Sequence, residues 1–362
     1  MGRMRPLREH DIGQVAHLHQ EVFGIAGDDS IADRYTRYFM STFLCSRRQF
    51  DSIVYEEDDG RITGFLGVVS REFTMEDKHV RGALSTQLVV HPEARRRLIG
   101  LMLMRQFLLG PQDFSFTDEA NEGSRKMWET LGGSASPLYS THWSAPVRPV
   151  RFVLSHKGLP ANLPAKFGLA AAWAFDTAFL RAQKMRLKRD TAAFDVKFLD
   201  ADSLAAIVTR QTGFLLKPLY DVKSLEEYLD HPARSILLRD CAGEIAGWYI
   251  YHLDDNKHGE VLQIGCRKDN ARDVVAHLFE NASRNGASVL YGRLEPHFSD
   301  AIADHLSILS RRQHTMLVHS RDPKIIDAIH SGKAFLSRLD GEWGVRFSHV
   351  RLSPAVRSQV AS

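Results

Sequence analysis

The sequence predicts an α/β protein of two domains, on three observations. Its 362 residues exceed what one hydrophobic core comfortably serves. Strand-like segments alternate with helical ones, and the pattern of the first half is taken up again from Phe194. The stretch Gln87 to Met104, QLVVHPEARRRLIGLMLM, joins a short β-branched run, a proline break, a basic triplet and an apolar helix. A helix start offers unpaired N–H groups and the positive end of its dipole. With Arg95, Arg96, Arg97 and Gly100 beside it, this one makes a cradle for a diphosphate.

In chain order, Arg3 to Arg8 reads as a first strand. Asp11 can cap a helix whose apolar positions Val15, Leu18, Val22 and Phe23 recur at helical spacing, and a second helix covers Ile31 to Leu44. Ser52 to Tyr55 and Ile62 to Phe73 alternate as strands about a Glu56-to-Gly60 turn, whose acidic run reads as solvated. Gly82 to Val90 is the strand leading into the basic turn, and Phe114 to Phe116 is the next. A helix then begins near Asn121, and a last strand or pair lies near Ala135 to Trp143.

Two blocks in this half carry a resemblance. LVVHPEARRRLIG is similar to the acetyl-CoA-binding signature of the GCN5-related N-acetyltransferase (GNAT) superfamily, a strand ending in Val-x-Pro followed by Arg/Gln-x-x-Gly-x-Gly/Ala. Arg95 matches the leading residue and Gly100 the last glycine, while Leu98 replaces the first. ANEGSRKMWETLGG, from Ala120 to Gly133, resembles the later helix of the family. There Asn121, Ser124 and Gly132 fall at the matching spacing and Trp128 replaces the usual tyrosine.

The resemblance implies a mixed sheet that splays open beside an acyl-CoA, acetyl-CoA being the first expectation. Leu88, Val89 and Val90 would meet the pantetheine arm, and Arg95, Arg96, Arg97, Leu98, Ile99, Gly100 and Leu101 the diphosphate, with Asn121 and Ser124 completing the cofactor site. The first two helices would flank the acceptor, which makes Glu21, Tyr35 and Tyr38 candidates for substrate contact. Many relatives place a carboxylate about four residues before the end of the signature strand. Thr86 stands there, between Ser85 and Gln87, and none of the three is a base. Glu21, Glu72, Glu119 and a water chain are the alternatives for proton removal. Tyr139 is an alternative acid, because the indole of Trp128 has no useful acidity. His91 is expected to shape the turn.

The expected layout is a GNAT domain over 1–145, a connector over 146–190 and a degenerate GNAT-like copy over 191–362. The connector is rich in proline and then basic, with 8 Lys/Arg against 2 Asp/Glu in residues 151–190. Its basic helix end, Arg181 to Arg189, could meet a membrane surface or an acidic acyl carrier protein. In the copy, Val196 to Leu199, Ser235 to Leu238, Ile245 to Leu253, Glu260 to Gly265 and Val289 to Leu294 read as strands, with later ones near His319 and over Phe335 to Phe347. The helix after Gly265 lacks the Arg-x-x-Gly-x-Gly loop.

The net charge of +3 and its distribution give no footprint for nucleic acid. Three scattered cysteines fit a reducing compartment, and no apolar run reaches the length of a membrane span, so a cytoplasmic location is expected. No metal-ligand spacing, serine elbow or Walker loop occurs. The expectation is an N-acyltransferase acting on a small-molecule amine by direct attack, with no metal. A non-catalytic acyl-CoA sensor and an enzyme using acyl carrier protein as donor are the alternatives.

Overall fold

The computed structural model describes residues 2–25, 29–44, 49–157, 174–179, 181–182, 194–229, 233–305, 307–311 and 314–346. Most of the basic stretch 181–189 lies outside them. Two mixed sheets carry the fold. The N-terminal half supplies β1 (Arg3–Pro6), β2 (Ile53–Glu56), β3 (Ile62–Met75), β4 (Lys78–Val90), β5 (Phe114–Ala120), β6 (Ser134–Ala135) and β7 (Thr141–Pro146). Its helices are α1 (Ile12–Phe23), α2 (Asp29–Phe43), α3 (Ile99–Leu108) and α4 (Glu122–Thr130). The rest supplies β8 (Asp195–Phe198), β9 (Leu216–Pro218), β10 (Ala233–Arg239), β11 (Ile245–Leu253), β12 (His258–Cys266), β13 (Val289–Arg293), β14 (Ile308–Arg311) and β15 (Thr315–Ser320).

The first sheet runs β1-β2-β3-β4-β5-β15-β6, with β9 added to the far part of β3; the second runs β8-β10-β11-β12-β13-β7-β14. Each has a single parallel pair at the same place, β4 with β5 and β12 with β13. The sixth position of each sheet is filled from the other half: β15 lies between β5 and β6, and β7 between β13 and β14. Burial explains the exchange. Trp143 and Ala145 of β7 belong to the core around Tyr249, Ile264 and Leu278, whereas Met316, Leu317 and Val318 of β15 are buried in the cores of the first sheet. The final strand expected near Ala135 to Trp143 is thus divided between the two sheets.

The stretch Phe335 to Phe347, expected as a strand, is a different object. It runs between the two sheets and closes in a 3-10 turn at Glu342–Val345. Phe335, Leu339 and Trp343 pack with Trp248, Ile250 and Leu262 of the second half, while Leu336 and Val345 join Phe116 and Tyr139 of the first. Its main chain meets the ladders at isolated points, the Phe335 N–H donating to the Leu216 carbonyl at 2.8 Å and the Leu339 N–H to the Leu262 carbonyl at 3.1 Å.

Candidate active site

The pairing of β4 with β5 stops at Leu84 and Phe116. Beyond it the strands part, aided by a bulge in β4: the register with β3 slips between Phe65 and Gly67, and Gln87 takes a φ of 53°. The Gln87 Oε1 lies 2.7 Å from Nε2 of His19 on α1. Burial among Phe23, Tyr35 and Phe39 lowers the proton affinity of His19. That pair fixes the bent end of β4, from which Leu88 to Val90 project beside the next turn.

The turn begins at His91, whose N–H donates to the Thr63 carbonyl at 2.9 Å. Residues Pro92–Arg97 form a 3-10 turn, and Leu98 then adopts φ 58°, ψ 26°, the left-handed conformation that glycine enters at least cost. The glycine replaced in the sequence signature is thus replaced in identity only. From Ile99 the helix α3 begins; the Met102 N–H is the first to find a carbonyl of this turn, that of Leu98. The amides of Ile99, Gly100 and Leu101 consequently have no intrahelical acceptor. Gly100 faces Val90 and Met127, which a Cβ would meet at 3.5 and 3.7 Å.

Leu88, Val89, Val90, Arg95, Leu98, Gly100, Leu101, Asn121 and Ser124 all line one cleft of about 470 Å³, with Val22 of α1 and Met127 of α4. Asn121 is also the N-cap of α4, its Oδ1 accepting from the Ser124 N–H at 2.9 Å. The other three expected cradle residues are placed differently. Ile99 is fully buried in the core. Arg97 donates to Glu57 at 2.7 Å and to the Tyr55 hydroxyl at 2.9 Å, and Arg96 is exposed outside the cleft lining. Trp128, at the place of the usual tyrosine, is buried against Phe107 and does not line the cleft.

The acceptor-side and proton-transfer candidates separate in space. Tyr35 and Tyr38 pack with Phe39 and Phe65 in the core beneath α1 and α2, and the Tyr38 hydroxyl donates to the Val345 carbonyl at 2.8 Å. Glu21 accepts from the ring of His91 at 2.9 Å. Glu72 faces His79 and Gln49. The Tyr139 hydroxyl donates to the Ala334 carbonyl inside the core, and burial raises its pKa far above the phenol value. Glu119 is paired with Arg338 at 2.5 Å and with Arg346; despite burial, their charge holds it below the ordinary carboxylate range.

One group at the fork had no signal in the sequence. Glu342 spans the gap where β4 and β5 part: its Oε2 accepts from Thr86 Oγ1 at 2.7 Å and its Oε1 from Thr117 Oγ1 at 2.5 Å and the Glu119 N–H at 3.1 Å. Beside it Asp118 accepts from Arg338 at 2.6 Å, Arg293 at 3.2 Å and the Glu342 N–H at 2.8 Å. Arg338 and Arg346 reach on to Glu260 of β12. Among the described residues no cation hydrogen-bonds Glu342. Burial, then the charges of Asp118 and Glu119, push it up to about 7.

The matching opening in the second sheet is filled by the chain itself. There β12 and β13 stop pairing at Val261 and Gly292. The next carbonyl, that of Leu262, accepts from the Leu339 N–H at 3.1 Å, and Gln263 donates to Ser337 at 3.0 Å.

Residues 3–110 match the family model described as an acetyltransferase (GNAT) domain. The fold likeness extends across both halves. A GCN5-related N-acetyltransferase from Kribbella flavida matches with a TM-score of 0.56 at 15% identity, covering 88% of this chain and 72% of that one. Another, from Anabaena variabilis ATCC 29413, matches with a TM-score of 0.58 at 10% identity, over 89% and 74%. A search of curated proteins finds no match. Among the described residues no helix is long and apolar enough to cross a membrane, and no group of three or more His, Cys, Asp or Glu is placed to hold a metal ion.

Proposed function

We propose that the protein is an N-acyltransferase that moves an acyl group from acyl-CoA to the primary amine of a small molecule, acting in the cytoplasm without a metal. The observation that carries this reading is the single cleft that collects nine of the twelve expected cofactor residues at the splay of β4 and β5. The amides of Ile99, Gly100 and Leu101, at the positive end of α3, suit the diphosphate. The main chain of Leu88 to Val90, freed from β5, suits the amide-bearing pantetheine arm. The thioester would then lie near the fork, where strand amides can stabilise the oxyanion formed on attack, an effect worth about 3 kcal/mol.

The second half, with the same strand order and its opening occupied by Ser337 to Leu339, is read as a degenerate copy that supports the first and binds no donor of its own. The test is thiol release from acetyl-CoA by the purified full chain with a panel of amino sugars, amino acids and polyamines, with product masses. Transfer to an amine with stoichiometric CoA release is expected. Donor binding without release across the panel would favour a sensor, and release only from acylated carrier protein would favour that donor.

A further inference from the structure

The first sheet lacks a carboxylate on its signature strand, and the chain returns one to that place from its other end. Thr86, where a base is missing, hydrogen-bonds Glu342, which lies beyond the last strand among the described residues. The contact is held from several sides. Gly341 passes against Asp118 so closely that a Cβ there would sit 2.2 Å from the carboxylate. Asp340 accepts from Tyr220 at 2.7 Å, its carbonyl accepts from Arg71 at 3.1 Å, and the Val345 carbonyl accepts from Tyr38.

We propose that Glu342 is the proton acceptor for the attacking amine, so that the C-terminal segment completes the active site of the N-terminal half. This rests on the acyltransferase reading above. An acceptor entering as an ammonium first gives one proton to the Glu342 carboxylate, leaving a nitrogen lone pair. The nitrogen then attacks the thioester carbon; the C–N bond forms, the C–S bond breaks, and its electron pair leaves on sulfur. The remaining surplus proton on nitrogen ends on the thiolate, and Glu342 returns its proton to water. The net products are an amide, CoA thiol and one proton.

The surroundings fit the role. Asp118 and Glu119 on β5 and Glu260 on β12 share Arg293, Arg338 and Arg346, so these cations neutralise the other three carboxylates. The groups bonded to Glu342 are neutral: two threonine hydroxyls and one amide. Tyr38 of α2 is also near enough for Glu342 to raise its proton affinity. A carboxylate kept near neutrality can both take a proton at physiological pH and release it. Glu342 is half-buried at the fork.

The experiment compares wild type with Glu342→Gln, which keeps the shape and the hydroxyl acceptor, across pH 5.5–9.5. Acetyl-CoA affinity is measured by calorimetry beside transfer to the best amine. Expected are donor affinity within twofold of wild type, transfer lowered about 10²- to 10⁴-fold at pH 7, and loss of the rising limb centred near pH 7. Transfer within threefold of wild type on an unchanged profile would overturn the assignment. A wild type that fails to bind acetyl-CoA would instead overturn the donor reading, and this assignment with it. Infrared titration of wild type against the Gln variant reads the group without turnover. A carboxyl band titrating near neutrality and absent from the variant is expected; the same titration in both proteins would overturn the assignment.

Discussion

Thr86 and Glu342 are separated by 256 positions in the chain and by 2.7 Å in the fold. Their contact crosses the point where β4 leaves β5, and it joins the last described segment of the chain to the strand that carries the cofactor signature. Burial, and then the negative charges of Asp118 and Glu119 beside it, make Glu342 keep its proton to higher pH than ordinary carboxylates do.

That proton makes an unusual stability signature. Folding raises Glu342 from 4.5 to about 7, so between these values the folded state binds a proton that the unfolded state has released. Stability therefore falls as pH rises through this window, by at most about 1.4 kcal/mol per pH unit. Below 4.5 and above 7 the contribution is flat. Histidines held low by burial, such as His19 and His277, act with the opposite sign, but they are common to wild type and variant. Urea midpoints at pH 5, 6, 7 and 8 should show Glu342→Gln gaining on wild type as pH rises. Parallel curves would contradict the shift.

Gly341 is required for contact distance, since its φ of −87° is open to any residue. Its added Cβ would lie 2.2 Å from Asp118, which Arg293 and Arg338 hold in place. Gly341→Ala should cost about 1–3 kcal/mol and reduce transfer by shifting Glu342. Thermal melts and the thiol assay check both; a change in stability under 0.5 kcal/mol, near the scatter of ordinary surface changes, would show that the segment yields.

Leu98 presents the reverse case. Its side chain is 62% exposed, so little packing is lost on removal, while its φ of 58° strains a residue with a Cβ. Leu98→Gly should raise stability by about 1 kcal/mol, read as a higher melting temperature. A lower melting temperature would mean that the leucine makes contacts worth more than the strain.

The parts of this site that were legible in the sequence are local ones. Val90-His91-Pro92 to Gly100 announces a strand, a turn and a helix because the chemistry of each lies within a few residues, and Asn121 announces a helix start for the same reason. The repeated order of strands in the second half could likewise be read from pattern. The exchange of β7 and β15 could not, because antiparallel partners several elements apart leave no mark on local periodicity. Glu342 lies in the sequence as an ordinary acid between Gly341 and Trp343. The burial of Trp343 and the close approach of Gly341 to Asp118, among other tertiary contacts of the segment, bring it to Thr86. Arg97 illustrates the limit from the other side: it stands in the right motif, yet Glu57 and Tyr55 engage it.

The central claim, that the cleft between α3, α4 and the end of β4 holds the donor, is tested most directly by titrating acetyl-CoA into the full chain and into Gly100→Trp. The Gly100 position has room for a methyl group, but an indole would occupy the space between Val90 and Met127. Saturable one-to-one binding by wild type, weakened at least tenfold in a variant that melts normally, is the predicted result. Equal affinity in the two proteins would place the donor elsewhere and contradict the account.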